Sequence, residues 1–160
     1  MLYMKLKNNT IVIKCSIYLI FKVMTQEQKE DLLKDLSARL PYGVKISIPD
    51  LWTQKIEIEI LNEIFKGDDG LYRVNSTGQC IEHIKPYLFP LASMTEEQIN
   101  NCPIKETNFN IIKSNIGYGI IEIPWKLSYL FIDWCTKNHI DYRGLIPIGL
   151  AIDASNLNIY

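Results

Sequence analysis

The residues best equipped for chemistry are two cysteine–histidine pairs, Cys80-x-x-His83 and Cys135-x-x-x-His139. Two thiolates and two imidazoles satisfy tetrahedral zinc, and an i,i+4 pair shares one helix face. The spacings are permissive, however, and nothing in the sequence joins the pairs. A cysteine is also among the most frequently buried residues, as a plain small hydrophobe. A metal site on Cys80, His83, Cys135 and His139 is therefore the minor expectation, and no stoichiometric zinc or other cofactor is expected. Pairing a cysteine with a histidine as nucleophile and base is weaker still, because no feature marks an activated thiolate.

Other motifs have simpler explanations. Glu57 and Glu59 share one face of a strand, as paired acids of a glycosidase would, but alternation with Ile56, Ile58 and Ile60 explains them as a solvated face. Asp68-Asp69-Gly70 lacks the rest of a calcium loop, and Gly117-Tyr118-Gly119 lacks the third glycine of a dinucleotide fingerprint. Asn75-Ser76-Thr77 matches a glycosylation acceptor, which carries no meaning without secretion. The segment His139 to Ile146 sets polar residues into an apolar tail. Arg143 is expected to pair with Asp141 or with an acid elsewhere. His139, Asp141, Tyr142 and Arg143 are read as a structural clasp first and a contact site second. No catalytic residue is assigned.

These residues need a scaffold, and the composition describes one. The chain has 160 residues, 48% of them apolar and 22% charged, which suits a single globular domain. Net charge is −1, so no general electrostatic footprint for nucleic acid is visible. The first 23 residues hold Lys5, Lys7, Lys14 and Lys22 and no acid. With those four lysines set aside, 13 basic and 18 acidic residues remain, a balance of −5. Four cysteines lie far apart without a C-x-x-C, which fits a reducing cytoplasm.

The segment "TIVIKCSIYLIFKVM" is too short and too interrupted by Lys14 to span a bilayer, and it lacks a signal-peptide cleavage site. Residues 1–23 contain no Gly, Ala, Pro, Arg, Asp or Glu. That bias is expected of translated AT-rich upstream DNA. Residues 1–23 are accordingly read as a non-native leader from an early start codon, or else as an extra strand, with the domain proper over 24–160.

From Met24 the pattern becomes regular. Thr25 with Gln28 forms a capping box, Leu32, Leu33, Leu36 and Leu40 recur at helical spacing, and Pro41 and Gly43 end the helix. "GVKISIP" and "QKIEIEILNEIF" alternate as strands, with Ile56, Ile58 and Ile60 expected to point inward. Turn clusters at 67–70 and 75–78 flank the short strand "LYRV". "KPYLFP" is extended, Ser93 or Thr95 caps a short helix, and "YGIIEIP" is a further strand. Pro124 opens a second main helix with Leu127, Leu130, Phe131 and Trp134 as its stripe. Lys137 and His139 fall near its C-terminus, where positive charge is favoured. The tail from Tyr142 wraps back over the core. The fold class is α+β, with an antiparallel sheet of about four or five strands packed by two main helices.

Three stretches, "MTQEQKEDLLKDLSARLPYGVKI", "IEHIKPYLFPLASMTEEQ" and "NHIDYRGLIPIGLAIDA", resemble small uncharacterised proteins recurrent in Bacteroidales genomes and their prophages. The similarity thins in the loops and around residues 100–124. Proteins of that family begin where Met24 stands here. The resemblance implies a cytoplasmic bacterial protein of a phage or mobile element, and it brings no activity and no site residue. The expected function is a non-enzymatic accessory or interaction protein with a protein partner and no membrane. One alternative is a small nucleic-acid-binding module, with some of Trp52, Tyr72, Tyr87, Phe89, Trp125 and Trp134 as a stacking platform. The acid surplus disfavours it. The other alternative is the zinc protein described above.

Overall fold

The computed structural model describes residues 3–7, 10–14, 24–50, 55–103 and 125–160. Strands β1 (Tyr3–Lys7) and β2 (Thr10–Lys14) pair with each other, antiparallel, and with no other strand among the described residues. Residues 15–23 lie outside the described residues, as do Trp52, the "YGIIEIP" strand and Pro124.

Helix α1 (Gln26–Arg39) starts at the expected capping box. The Thr25 side chain accepts from the Gln28 N–H at 3.2 Å, and the Gln28 side chain accepts from the Thr25 N–H at 3.0 Å. It stops where Pro41 enters a 3-10 turn and Gly43 takes the left-handed conformation, φ 66°. Leu32 and Leu36 are fully buried on its inner face.

The main sheet runs in the order β10, β8, β3, β4. Its members are β3 (Lys45–Pro49), β4 (Ile56–Ile60), β8 (Lys85–Pro90) and β10 (Ile152–Asp153), and β9 (Ile140–Asp141) also pairs with β8. A second, antiparallel sheet holds β5 (Ile64–Lys66), β6 (Tyr72–Val74) and β7 (Gln79–Cys80), joined by the turn clusters seen in the sequence. The class is α+β, as expected, but the main sheet is mixed rather than antiparallel. β3 is antiparallel to β4 and to β8, whereas β9 and β10 run parallel to β8. The reason is the long connection from β8 to β9, which includes α2 (Glu96–Asn101) and α3 (Trp125–Lys137). A crossover of that length returns the chain in the same direction. Thr95, rather than Ser93, caps α2, with Gln98 completing a second capping box.

β8 tolerates prolines because of where its groups point. Successive residues of a strand direct their N–H and C=O to opposite edges. The Leu88 carbonyl accepts from Ala154 on the β10 side, and the Phe89 N–H donates to the His139 carbonyl on the other. Pro86 therefore faces the β10 side, where pairing begins only at Tyr87.

Two apolar clusters result. The larger joins Leu32 and Leu36 of α1 to Ile46, Ile48, Ile84 and Leu88 of the sheet region, with Leu145, Leu150 and Ala151 of the tail lying over it. The smaller gathers Leu91, Cys102, Phe131, Cys135 and Ile140.

One expectation is overturned. Ile56, Ile58 and Ile60 do not point into the core: they are 63, 50 and 48% exposed. Ile46 and Ile48, which are in the core, stand opposite Glu59 and Glu57. Directly opposed residues share a face, so the glutamates of β4 lie on the helix side and its isoleucines on the other. Alternation identified the two faces of the strand but not which one meets the helix.

Leu36→Ala should cost about 2–5 kcal/mol, as for a buried leucine. Ile58→Thr should stay within about 0.5 kcal/mol, as for an exposed position. Urea denaturation of both variants at high dilution checks this contrast.

Candidate functional site

The polar residues that the fold gathers centre on Arg39. Leu32, Asp35, Leu36 and Arg39 follow the i, i+3, i+4, i+7 spacing, so Asp35 and Arg39 lie on the buried stripe of α1 and are fully inaccessible. Arg39 grips Asp35 with two parallel bonds, Nε to Oδ2 at 2.7 Å and Nη2 to Oδ1 at 3.1 Å. The rest of the guanidinium faces the end of α3. Nη2 donates to the Ile140 carbonyl at 2.8 Å, and Nη1 lies 3.5 and 3.4 Å from the carbonyls of Cys135 and Thr136. The Cys135 and Thr136 carbonyls belong to the last turn of α3, where the dipole favours positive charge, and Ile140 is the first residue of β9. Lys137 lies in the last turn of α3 as expected, and Arg39 of α1 adds a buried positive charge beside it.

Around this pair stand the residues of the 139–146 segment. Asp141 is buried and accepts from the N–H groups of Leu145 and Ile146, both at 2.8 Å, so its carboxylate shapes the tail loop. Arg143 pairs with Asp35, at 3.5 Å, and not with Asp141. Its Nε also donates to the Tyr142 hydroxyl at 3.1 Å. The Tyr142 ring has the guanidiniums of Arg39 and Arg143 at 5.6 and 5.0 Å from its centroid. His139 adopts φ 55° just past α3 and stacks on Tyr160, 4.5 Å between centroids and 18° between planes. The Tyr160 hydroxyl accepts from the Lys45 N–H at 3.0 Å and donates to the Tyr87 carbonyl at 2.9 Å, joining the last residue to β3 and β8.

The proposed zinc ligands are placed in different surroundings. Cys80 ends β7, and His83 follows in the 3-10 turn Ile81–His83. Cys135 lies in the smaller apolar cluster and His139 against Tyr160. Among the described residues, no three His, Cys, Asp or Glu side chains gather as metal ligands would. Burial, reinforced by Cys102, pushes the Cys135 thiol well above its ordinary pKa, which disarms it as a nucleophile.

The other feature is the outer edge of β4. The Asp50 N–H donates to the Lys55 carbonyl at 2.8 Å and the Leu61 N–H to the Val44 carbonyl at 2.9 Å. Residues 55, 57, 59 and 61 thus point their backbone groups at β3, and Ile56, Ile58 and Ile60 point theirs outward. Asn75 closes the far end of this edge. It is buried with φ 48°, and its Nδ2 donates to the Ile60 carbonyl at 2.9 Å and to Glu59 Oε2 at 2.8 Å. Among the described residues no strand pairs with the outward groups of Ile56 and Ile58. Among the described residues, edge and isoleucine face together form an open, apolar, strand-shaped surface.

The chain matches no protein-family model, no curated protein sequence and no solved structure.

Asp35 and Arg39 could have been found from their spacing to Leu32 and Leu36. Tyr160 carries no comparable signal, because its partners are backbone groups of distant strands.

Arg39→Met should cost about 3–5 kcal/mol by stranding Asp35. Arg39→Lys should recover only part of that, because an ammonium cannot make the two-pronged contact. Denaturant titration of the two variants measures both.

Burial, and secondarily Arg39, pulls His139 down to about 4 from an ordinary 6.5, and its buried Nδ1 has no hydrogen-bond partner among the described residues. Between those two values the unfolded chain takes up a proton that the folded chain refuses. Stability from this residue should be complete above pH 6.5 and decline as pH falls towards 4. Melting curves across that window should show a shallower decline for His139→Asn, since asparagine tolerates the left-handed backbone.

Proposed function

We propose that this chain is a non-enzymatic accessory or interaction protein of the cytoplasm, carried by a phage or mobile element, and that β4 is its recognition edge. The observation that carries the reading is the exposure of Ile56, Ile58 and Ile60 beside outward backbone groups. A strand edge of this kind takes an added strand from a partner: main-chain bonds supply affinity, and alternate side chains supply specificity. The polar residues support the same reading from the other side. Asp35, Arg39 and Asp141 are committed to a buried ion pair, to backbone carbonyls and to loop N–H groups, which leaves them no role towards a substrate. The resemblance to small prophage-associated bacterial proteins supports the setting.

A photo-crosslinking amino acid placed at position 58, in cells of the native host, should yield a discrete protein adduct. The same group at position 129 should not, although Tyr129 is also an exposed hydrophobe, at 66%. Absence of an adduct from position 58, or equal adducts from both, would contradict the reading.

A further inference from the structure

We propose that the partner of the β4 edge is a second copy of this chain, added antiparallel so that the two main sheets join across a two-fold axis. This rests on β4 being the recognition edge and names what it takes. The segment Lys55-Ile56-Glu57-Ile58-Glu59 is self-complementary in charge when reversed against itself. With Glu57 on the axis, Lys55 lies opposite the second copy's Glu59, and Ile56 opposite the second copy's Ile58, on both sides.

Backbone direction is compatible with this register. Ile56 and Ile58 carry the outward N–H and C=O groups, so each becomes a hydrogen-bonded pair with the other's counterpart. Lys55 and Glu59 then form the flanking non-hydrogen-bonded pairs, and Glu57 with its counterpart the central one; side chains approach most closely in such pairs. A register with Ile58 on the axis fails twice. It sets Glu57 against the second copy's Glu59, and it needs the Ile60 carbonyl that already accepts from Asn75. The isoleucines of the two copies become cross-strand neighbours on the exposed face, reducing the apolar surface each leaves in water. Among directly opposed residues, Glu57 meeting its own counterpart on the axis is the single like-charge pair, and its removal should relieve the dimer. The paired stretch is short, so the dimer is expected to be concentration-dependent rather than permanent.

The test is sedimentation velocity of the full chain over a wide concentration range, with a charge-swap series. The wild-type chain should shift from monomer to dimer. Lys55→Glu and Glu59→Lys should each weaken association by roughly tenfold, because each sets like charges opposite. The double variant Lys55→Glu with Glu59→Lys should return close to wild type, and Glu57→Gln should associate more tightly. The double variant shares any damage that the single changes do to the fold, so its recovery reports the pairing itself. Circular dichroism confirms that each variant is folded. A wild-type chain that stays monomeric overturns the proposal, as does a double variant no better than the singles. If the chain stays monomeric while position 58 captures a different protein in cells, self-pairing fails and the recognition edge stands. If neither occurs, both fail.

Discussion

A single guanidinium holds the two helices and the tail in one arrangement. Arg39 is fully buried, and each side of its planar head has a separate duty: the Asp35 carboxylate on its own helix, and the carbonyls of Cys135 and Thr136 in the last turn of α3 and of Ile140 in β9. An unpaired charge at this depth would cost several kcal/mol. The fork is therefore intolerant of any docking angle that leaves a donor or the carboxylate unmatched. Replacing such a pair by well-packed apolar residues is often neutral or stabilising, so its value here lies in specifying one geometry rather than in raw stability. Because Ile140 is the first residue of β9, the same contact sets where the chain re-enters the sheet beside Phe89.

The consequences run outward from that point. With β9 placed, Asp141 turns the chain by accepting from Leu145 and Ile146, which seats Leu145, Leu150 and Ala151 over the larger cluster. The tail then supplies β10 on one side of β8 and brings Tyr160 across to β3 and β8. The polar residues between His139 and Arg143 thus work inward, with Asp141 closing the loop and Arg143 reinforcing Asp35. The sheet is closed by tail strands on the β8 side and left open, among the described residues, on the β4 side.

The parts legible from sequence were those governed by local rules. Thr25 and Gln28, Pro41 and Gly43, and the turn clusters around β6 all behave as their residue types require, since capping and turn chemistry act within a few residues. What local rules could not supply was orientation. Alternation in "KIEIEI" placed isoleucine and glutamate on opposite faces, but which face meets α1 depends on the register with β3. The same limit hid the carbonyl partners of Arg39, which lie about a hundred residues away, and made the sheet look antiparallel, because β9 and β10 are two-residue strands without a pattern of their own. For Asp35 and Arg39 the signal was present at helical spacing and pointed to the core, against the ordinary expectation that charged residues at i,i+4 face water.

The most direct measurement is native-state hydrogen exchange. Amides of Leu36, Cys135 and Leu88 report on α1, α3 and the sheet, which Arg39 is held to join into one cooperative unit. They should open with the same free energy, and all three should lose protection together in Arg39→Met. The outward amides of Ile56 and Ile58 should exchange freely at high dilution. If the amide of Cys135 opened at a much lower free energy than that of Leu36, and Arg39→Met left both unchanged, the buried pair would not be what holds the elements together.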